Sequence, residues 1–346
     1  LKFFADVNSN LYSHLGIENI ISEGHSKLEV IVKSSLTDNS LFYVDAKLDL
    51  SNNTIMISNL DWLKKIGVQS NLNINFLTDG KELKQISKFY FSSPKFSALG
   101  KVNFSEKGKL KDIEFHDFVF NQTKVSGQVI FKKEKYLDIY IAGDYLDLDS
   151  LLKPEGEESG YKYNLLGEVN NILFQGFEFG PARINIKTDK EEYNELEIDI
   201  DLNSEQRAFI KLTSFDNGDP SKIEIRANDS GLLYSKLNIT DSLIGGRLHV
   251  IAFQNNAIPD NPITGYVRLD NFSIVDAPIL TRLLQIASFT GLIEIIGSEG
   301  IPFQRFEGRF SLLNNIFTFT DSTASGLSLG FSLKGDIDID SEKVNL

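Results

Sequence analysis

The chain of 346 residues contains no cysteine, a single tryptophan, a single methionine and only eight prolines. Without cysteine it has no disulfide bonds, thiolate metal sites or cysteine nucleophiles. Basic residues are also few: 35 Lys and Arg stand against 48 Asp and Glu, for a net charge of −13. Because an acidic chain repels phosphate backbones, we expect no nucleic-acid partner.

Long apolar runs are missing as well. No stretch of about 18 apolar residues occurs, so the sequence offers no candidate for a membrane-spanning helix. The chain starts at Leu1 rather than Met. We therefore expect it to be an excised piece of a longer protein, in which the absence of an anchor is uninformative.

What the sequence does contain is alternation of apolar and polar residues, together with 26 phenylalanines. In the run 196–202 every second residue is Leu or Ile, and the residues between them are acidic. A period of two predicts strands with one apolar and one polar face. Shorter runs of this kind occur at Ile184 and Ile186, at Ile223 and Ile225, at Phe317 and Phe319, and at Ile337 and Ile339.

Turn signals separate these runs at short intervals, which favours antiparallel hairpins over βαβ units. The clearest signals are Thr78-Asp79-Gly80, Glu106-Lys107-Gly108, Asn314-Asn315 and the stretch 216–220. We predict an all-β fold with few helices. Its main helix is expected within Asp276 to Ile296, near the C-terminus, where Asp276 caps the N-terminus and Pro278 occupies the first turn. A shorter turn is expected around Asp61 to Ile66.

The stretch 153–160 (KPEGEESG) is charged and lacks apolar anchors, which is typical of a linker or a long loop. It divides the chain into an N-terminal β segment, 1–152, and a middle β segment, 161–270. A C-terminal unit, 271–346, carries the predicted helix over 277–296. We expect the sheet to be continuous across these segments.

Many strands with one apolar face need something to cover that face. The predicted helices are too few to do so, which leaves two solutions. Either the sheet closes on itself as a sandwich or barrel, or it curls into an open trough whose apolar floor is covered by a ligand. The alternation by itself does not choose between them.

Four collinear segments resemble the AsmA-like superfamily, specifically its YhdP-type branch. The most specific is Leu269 to Ile339, which contains LDNFSIVDAPILTRLLQIASFTGLIEIIGSEGIPFQRFEGRF and FTDSTASGLSLGFSLKGDIDID. The weaker segments are Ala46 to Gly67, Ile141 to Leu152 and Ala227 to Leu248. Residues at positions of the terminal pattern are Asp276, Ala277, Pro278, Leu283, Leu284, Ser288, Gly291, Gly300, Phe303, Gly326, Gly330, Gly335 and Asp338.

The resemblance implies a long, strongly curved, mostly antiparallel sheet that forms an open, taco-like groove, as in TamB and eukaryotic bridge-like lipid-transfer proteins. It also implies a periplasmic protein of a Gram-negative-type envelope, anchored to the inner membrane through a segment absent from this chain. The implied role is binding phospholipid, or another acyl-chain lipid, and moving it toward the outer membrane.

The alternating residues are then the candidate lining of a lipid groove, and the terminal helix is a candidate cap. The lining residues are Ile184, Ile186, Leu196, Ile198, Ile200, Leu202, Ile223, Ile225, Leu248, Val250, Phe317 and Phe319. The cap residues are Asp276, Pro278, Leu280, Leu283 and Leu284. The cap is expected to pack on the end of the sheet, and a gate or partner-docking role is the alternative.

Catalytic and metal-binding chemistry find little support in the sequence. The four histidines are scattered, and no P-loop, dinucleotide-binding or nucleophile-elbow motif is present. Carboxylates two residues apart, such as Asp199 and Asp201, alternate with apolar residues and are typical of a solvated strand face. We therefore expect no enzyme, no cofactor and no metal. The alternative to lipid transport is a non-enzymatic envelope scaffold or assembly factor with a closed β core and protein partners.

Overall fold

A computed structural model describes residues 1–8, 20–34, 40–106, 108–151, 162–188, 193–215, 220–255, 261–275, 300–327, 330–338 and 343–345. The described residues form two compact units. The first comprises residues 1–176 with 188–191, and the second comprises 177–187 with 192–346. The predicted linker at 153–160 and the predicted helix over 277–296 lie outside the described residues.

Both units are built from β-strands, which confirms the predicted all-β class. The strands of the first unit are β1 (Lys2–Asn8), β2 (Ile21–Ser34), β3 (Phe42–Asp49), β4 (Asn53–Ile57), β5 (Trp62–Lys64), β6 (Asn71–Thr78), β7 (Leu83–Ser93), β8 (Phe96–Phe104), β9 (Leu110–Phe120), β10 (Thr123–Phe131), β11 (Tyr136–Asp147) and β12 (Lys162–Phe174). Its helical pieces are 3-10 turns at Ser58–Leu60 and Lys133–Lys135 and the helix α1 (Leu148–Leu151).

The first unit is a ladder in which β1, β2, β3 and β6 to β12 are neighbours in that order. Every pairing is antiparallel except β11 with β12, which is parallel. A parallel pair needs a crossover connection, and α1 follows β11 at the start of that connection. The ladder is not closed into a barrel: among the described strands, β1 pairs only with β2.

Strands β4 and β5 form a hairpin. Its strand β4 pairs with the first residues of β2, outside the order of the main ladder. We call the hairpin together with the 3-10 turn Ser58–Leu60 the flap. The helical turn predicted around Asp61 to Ile66 is wrong, because the 3-10 turn comes earlier and Trp62–Lys64 is a strand. Asp61 adopts a left-handed conformation with φ of 47°, which ends the 3-10 turn.

The second unit is an antiparallel meander. Its strands are β13 (Phe177–Phe179), β14 (Ala182–Thr188), β15 (Tyr193–Asp201), β16 (Arg207–Thr213), β17 (Ser221–Ala227), β18 (Leu243–Gln254), β19 (Ile263–Ile274), β20 (Ile301–Leu313), β21 (Ile316–Ser325), β22 (Gly330–Asp338) and β23 (Lys343–Asn345). From β15 to β23 each strand pairs with the next. Between β17 and β18 lies the helix α2 (Ser230–Lys236).

Local sequence explains how these elements begin and end. Asn314 and Asn315 both have positive φ, as the two-residue turn of a tight hairpin requires, and they join β20 to β21 where the Asn-Asn pair predicted a turn. The side chain of Asp229 accepts a hydrogen bond of 2.9 Å from the backbone N–H of Leu232 and so caps the N-terminus of α2.

Lys64 holds the flap in place although it is almost fully buried. Its Nζ donates hydrogen bonds to the backbone carbonyls of Leu50, Ser51 and Asn53, at 2.5, 3.0 and 2.7 Å. Burial lowers the pKa of Lys64, and the nearby Asp49 carboxylate opposes that shift. Because all three donors are used by the turn between β3 and β4, this lysine ties that turn to β5.

Replacing Lys64 with Met is expected to destabilise the protein by about 2 kcal/mol or more, because three carbonyls lose their donor. Lys65→Met is the matched control, since Lys65 is the next residue in the sequence and its side chain is exposed. Urea unfolding of the two variants and the parent checks this. Equal midpoints for both variants would contradict the assigned role.

Candidate functional site

The predicted lining residues of the second unit that lie on β15, β17, β18 and β21 occupy one face of the sheet. The strand registers place Ile200, Ala208, Ala227, Leu248, Leu269, Phe306 and Ala324 opposite one another in a row that crosses the strands. A second row is Ile198, Ile210, Ile225, Val250, Val267, Gly308 and Ser322. A third row is Leu196, Leu212, Ile223, Ala252, Gly265, Phe310 and Phe319.

Burial divides the predicted lining into two groups. Ile184, Ile186, Leu196, Ile198, Ile200, Leu202 and Leu248 are at most 5% exposed. Ile223, Ile225, Val250, Phe317 and Phe319 are only half-buried, although all of them except Phe317 stand in the same rows as buried residues. The face is therefore sealed at β14 and β15 and partly accessible from β16 to β21. That it lines a lipid groove stays a prediction.

Sequence reasoning missed several members of this face. Ile210, Leu212 and Val267 are half-buried and complete the second and third rows. Their strands carry Phe209 and Tyr266 on the opposite face, so the alternation of apolar and polar residues is broken there. Three phenylalanines of the C-terminal strands extend the surface, with ring centroids 6.1 Å apart for Phe306 and Phe319 and 6.2 Å apart for Phe317 and Phe319.

One end of this apolar face is covered by α2. Leu233 of α2 is 4% exposed, and Ser230 donates a hydrogen bond of 2.8 Å to the carbonyl of Gly245. Gly246 has φ of 90°, and a Cβ there would lie 2.8 to 2.9 Å from Ser230, Leu269 and Phe272. This glycine lets the helix approach the sheet closely.

The opposite face of the second unit carries cross-strand ion pairs on β14, β15 and β16. The Nζ of Lys211 lies 2.7 Å from Glu197 and 3.4 Å from Glu195. The hydrogen bond from Lys211 is the main cause of a lowered pKa at Glu197. Asp199 and Asp201 pair with arginines, Asp199 with Arg183 and Arg207 and Asp201 with Arg207. These carboxylates therefore belong to a charged ladder on the outer face.

The first unit repeats the arrangement, which the sequence did not single out. Its central row is Val30, Ala46, Ile74, Phe89, Gly100, Phe115, Gly127 and Ile141. A Cβ at Gly100 would come within 2.9 Å of the Phe89 ring, so each glycine makes room for the large side chain beside it. The signal that could have located this row is the alternation of aromatic residues and glycines between neighbouring strands.

The flap covers one end of this row and leaves the other accessible. Trp62 packs edge-on against Phe91 and Phe96, with ring centroids 6.0 and 5.0 Å away, and Phe120 beneath them is 2% exposed. The row next to the central row, on the side of the turns that follow β6, β8 and β10, runs from β6 to β12. All its side chains are half-buried. Its members are Phe76, Ile86, Val102, Ile113, Val129, Ile139 and Leu165.

The remaining predicted site residues, Asp276, Pro278, Leu280, Leu283 and Leu284, lie outside the described residues. Within the described ranges, no group of three or more His, Asp or Glu side chains is arranged to hold a metal ion. None of the helices in the described part of the chain has the length and apolar character needed to cross a membrane.

No protein-family model matches the chain, and neither a curated protein sequence nor a solved structure does so. The resemblance to the AsmA-like superfamily therefore remains a prediction from the motifs quoted above.

Replacing Lys211 with Met is expected to lower stability at pH 7 by about 0.5–1 kcal/mol, because Glu195 and Glu197 lose their partner. A carboxylate with a lowered pKa contributes its stabilisation above the unfolded pKa and loses it as pH falls through the folded one. The difference between parent and variant should therefore shrink below about pH 4. Denaturant midpoints at pH 7 and pH 3 measure it, with the exposed Lys334→Met as control. A difference that persists undiminished at pH 3 would show that the ion pair is not its source.

Proposed function

We propose that this protein binds lipid on the half-buried apolar faces and conducts it along them, and that it is not an enzyme. The observation that carries the proposal is the pair of faces, one in each unit. Each is apolar across neighbouring strands, is covered at one end by a flap or a helix, and carries half-buried side chains toward the other end.

Energetics support this reading. Each methylene of an acyl chain that leaves water gains about 0.8 kcal/mol, and half-buried Ile, Val and Phe side chains gain in the same way when a ligand covers them. Their contacts have no directional preference, so neighbouring rows would hold a chain about equally well. A lipid can then move across the strands without leaving one tight site.

The motif resemblance supplies the biological setting of the proposal. A periplasmic, inner-membrane-anchored member of the AsmA-like superfamily would curve each sheet into an open trough and move phospholipid toward the outer membrane. Envelope proteins are proposed as further partners. The rival proposal, an envelope scaffold with a closed core, is favoured by the sealed residues of β14 and β15, such as Ile186 and Ile198, which are 0% exposed.

Lipid transport and the scaffold can be distinguished by aspartate substitutions at the half-buried and at the fully buried positions of the face. Ile225→Asp places a charge on the half-buried part of the face of the second unit, and we expect the variant to stay folded and to lose the phospholipid bound on that face. Ile198→Asp buries an unpaired charge at a position with no exposure, and we expect it to unfold. Thr264→Asp, on the outer face of β19 between neutral neighbours Phe253 and Ser311, is the control.

Circular dichroism and lipid extraction followed by mass spectrometry give the readouts. Lipid transport predicts stoichiometric phospholipid in the parent and the control and less in Ile225→Asp, which retains only the lipid on the face of the first unit. A parent protein that carries no lipid after gentle purification would instead support the scaffold.

A photo-crosslinking residue tests which face the lipid contacts. Benzoylphenylalanine in place of Phe319, on the inner face, is expected to crosslink to phospholipid on irradiation. The same residue in place of Tyr266, an aromatic position on the outer face of the same sheet, is expected to form no crosslink to phospholipid. Equal crosslinking at both positions would mean that lipid adheres to the protein without using the proposed face.

A further inference from the structure

The turns at the accessible end of the first unit carry an unusual charge for this chain. The segments 79–84, 105–111 and 132–135 contain eight lysines and four acidic residues, whereas the whole protein has a net charge of −13. These turns follow β6, β8 and β10, so the antiparallel ladder brings them to the same edge. Alternate turns of such a ladder lie about 10 Å apart.

Some of these lysines already have partners. Lys84 pairs with Asp79 and Glu82 at 2.9 and 2.8 Å, and Lys132 pairs with Asp138 at 3.0 Å. The others that the structure describes are Lys81, Lys109, Lys111, Lys133 and Lys135. All five are exposed and form no ion pair among the described residues. We call these five residues the lysine rim.

The lysine rim borders the accessible part of the apolar face. The half-buried Val129 and Ile139 lie within a few residues of the turn that holds Lys133 and Lys135. Phe104 and Leu110 pair beside the turn that holds Lys109. The opposite edge, beneath the flap, is sealed by Trp62 and Phe96. An amphiphile that approaches the apolar rows of this unit from this edge therefore passes a line of ammonium groups about one Debye length apart.

The second unit has no comparable run of lysines in the segments that join β16 to β17 and β18 to β19. In sequence, 214–220 and 255–262 contain three aspartates, Asp216, Asp219 and Asp260, and no lysine or arginine. The positive rim is thus a property of the first unit rather than a general feature of the turns in this protein.

From this placement we infer that the lysine rim binds the anionic headgroup of an amphiphile whose acyl chain lies on the apolar face of the first unit. The inference rests on the proposed function and assigns it a headgroup preference: anionic over zwitterionic. Exposed lysines hold such groups weakly and reversibly, which suits a lipid that must move on. The recognised chemistry is a phosphate monoester or a similar anion joined to an alkyl chain.

Isothermal titration calorimetry with three probes separates the contribution of the headgroup to binding from that of the acyl chain. Lauroyl lysophosphatidate carries an anionic head, lauroyl lysophosphatidylcholine carries the same chain with a zwitterionic head, and glycerol 3-phosphate is a head without a chain. All are used below their micellar concentrations with the full chain. The test variant is Lys109→Gln, Lys133→Gln and Lys135→Gln together. The control is Lys65→Gln, Lys95→Gln and Lys124→Gln, three exposed lysines at the flap end of the same unit.

We expect the rim variant to bind lysophosphatidate about tenfold more weakly than the parent, with lysophosphatidylcholine changed less than about twofold. The control should bind both probes like the parent. In the parent, added NaCl should weaken the binding of lysophosphatidate but not that of lysophosphatidylcholine. This comparison needs no substitution. Circular dichroism of each variant checks that it is folded.

Three results would overturn the inference. Equal affinity of the parent for both lipids, with no effect of the rim substitutions, would remove the headgroup preference and leave the proposed function intact. Binding of glycerol 3-phosphate as tight as that of lysophosphatidate would make the rim a free-phosphate site. No binding of either lipid to the parent would remove the proposed function itself.

Discussion

The constraint on which the structure depends is that each strand has one apolar face and the protein has few elements with which to cover it. In the first unit the flap covers one end of that face, and in the second unit α2 does so. Both elements are small, and many side chains in the rows beyond them are half-buried. Apolar surface left in this state is unfavourable in water, and in our proposal an acyl chain covers it.

The covering elements depend on polar contacts as much as on apolar ones. Lys64 satisfies three carbonyls beneath the flap, and the buried Ser26 hydroxyl donates a hydrogen bond of 2.8 Å to the Asn53 side chain. In the second unit Asp229 caps α2 while Gly246 admits it to the sheet. Such networks fix where the covered end of each face stops. They thereby set where the half-buried rows begin.

The two faces of each sheet contribute different interactions. On the outer face, cross-strand ion pairs such as Lys211 with Glu197 and Lys101 with Glu114 align neighbouring strands at modest energetic gain. The inner face contributes apolar contacts and, in our proposal, the path for lipid. The lysine rim adds a charge of the sign opposite to that of the chain as a whole, at the accessible edge of the first unit.

The sequence alone determined that the chain is all-β, because a period of two in runs such as 196–202 is a local property of the strand. It also indicated which residues of β15, β17, β18 and β21 share a face. Only the tertiary structure decided the rest. Register and covering elements depend on contacts between distant segments, so the sequence did not distinguish Ile198, which is sealed, from Ile225, which is half-buried. The rows of the first unit come from nine strands, and its lysine rim comes from three turns, all of which the ladder brings together.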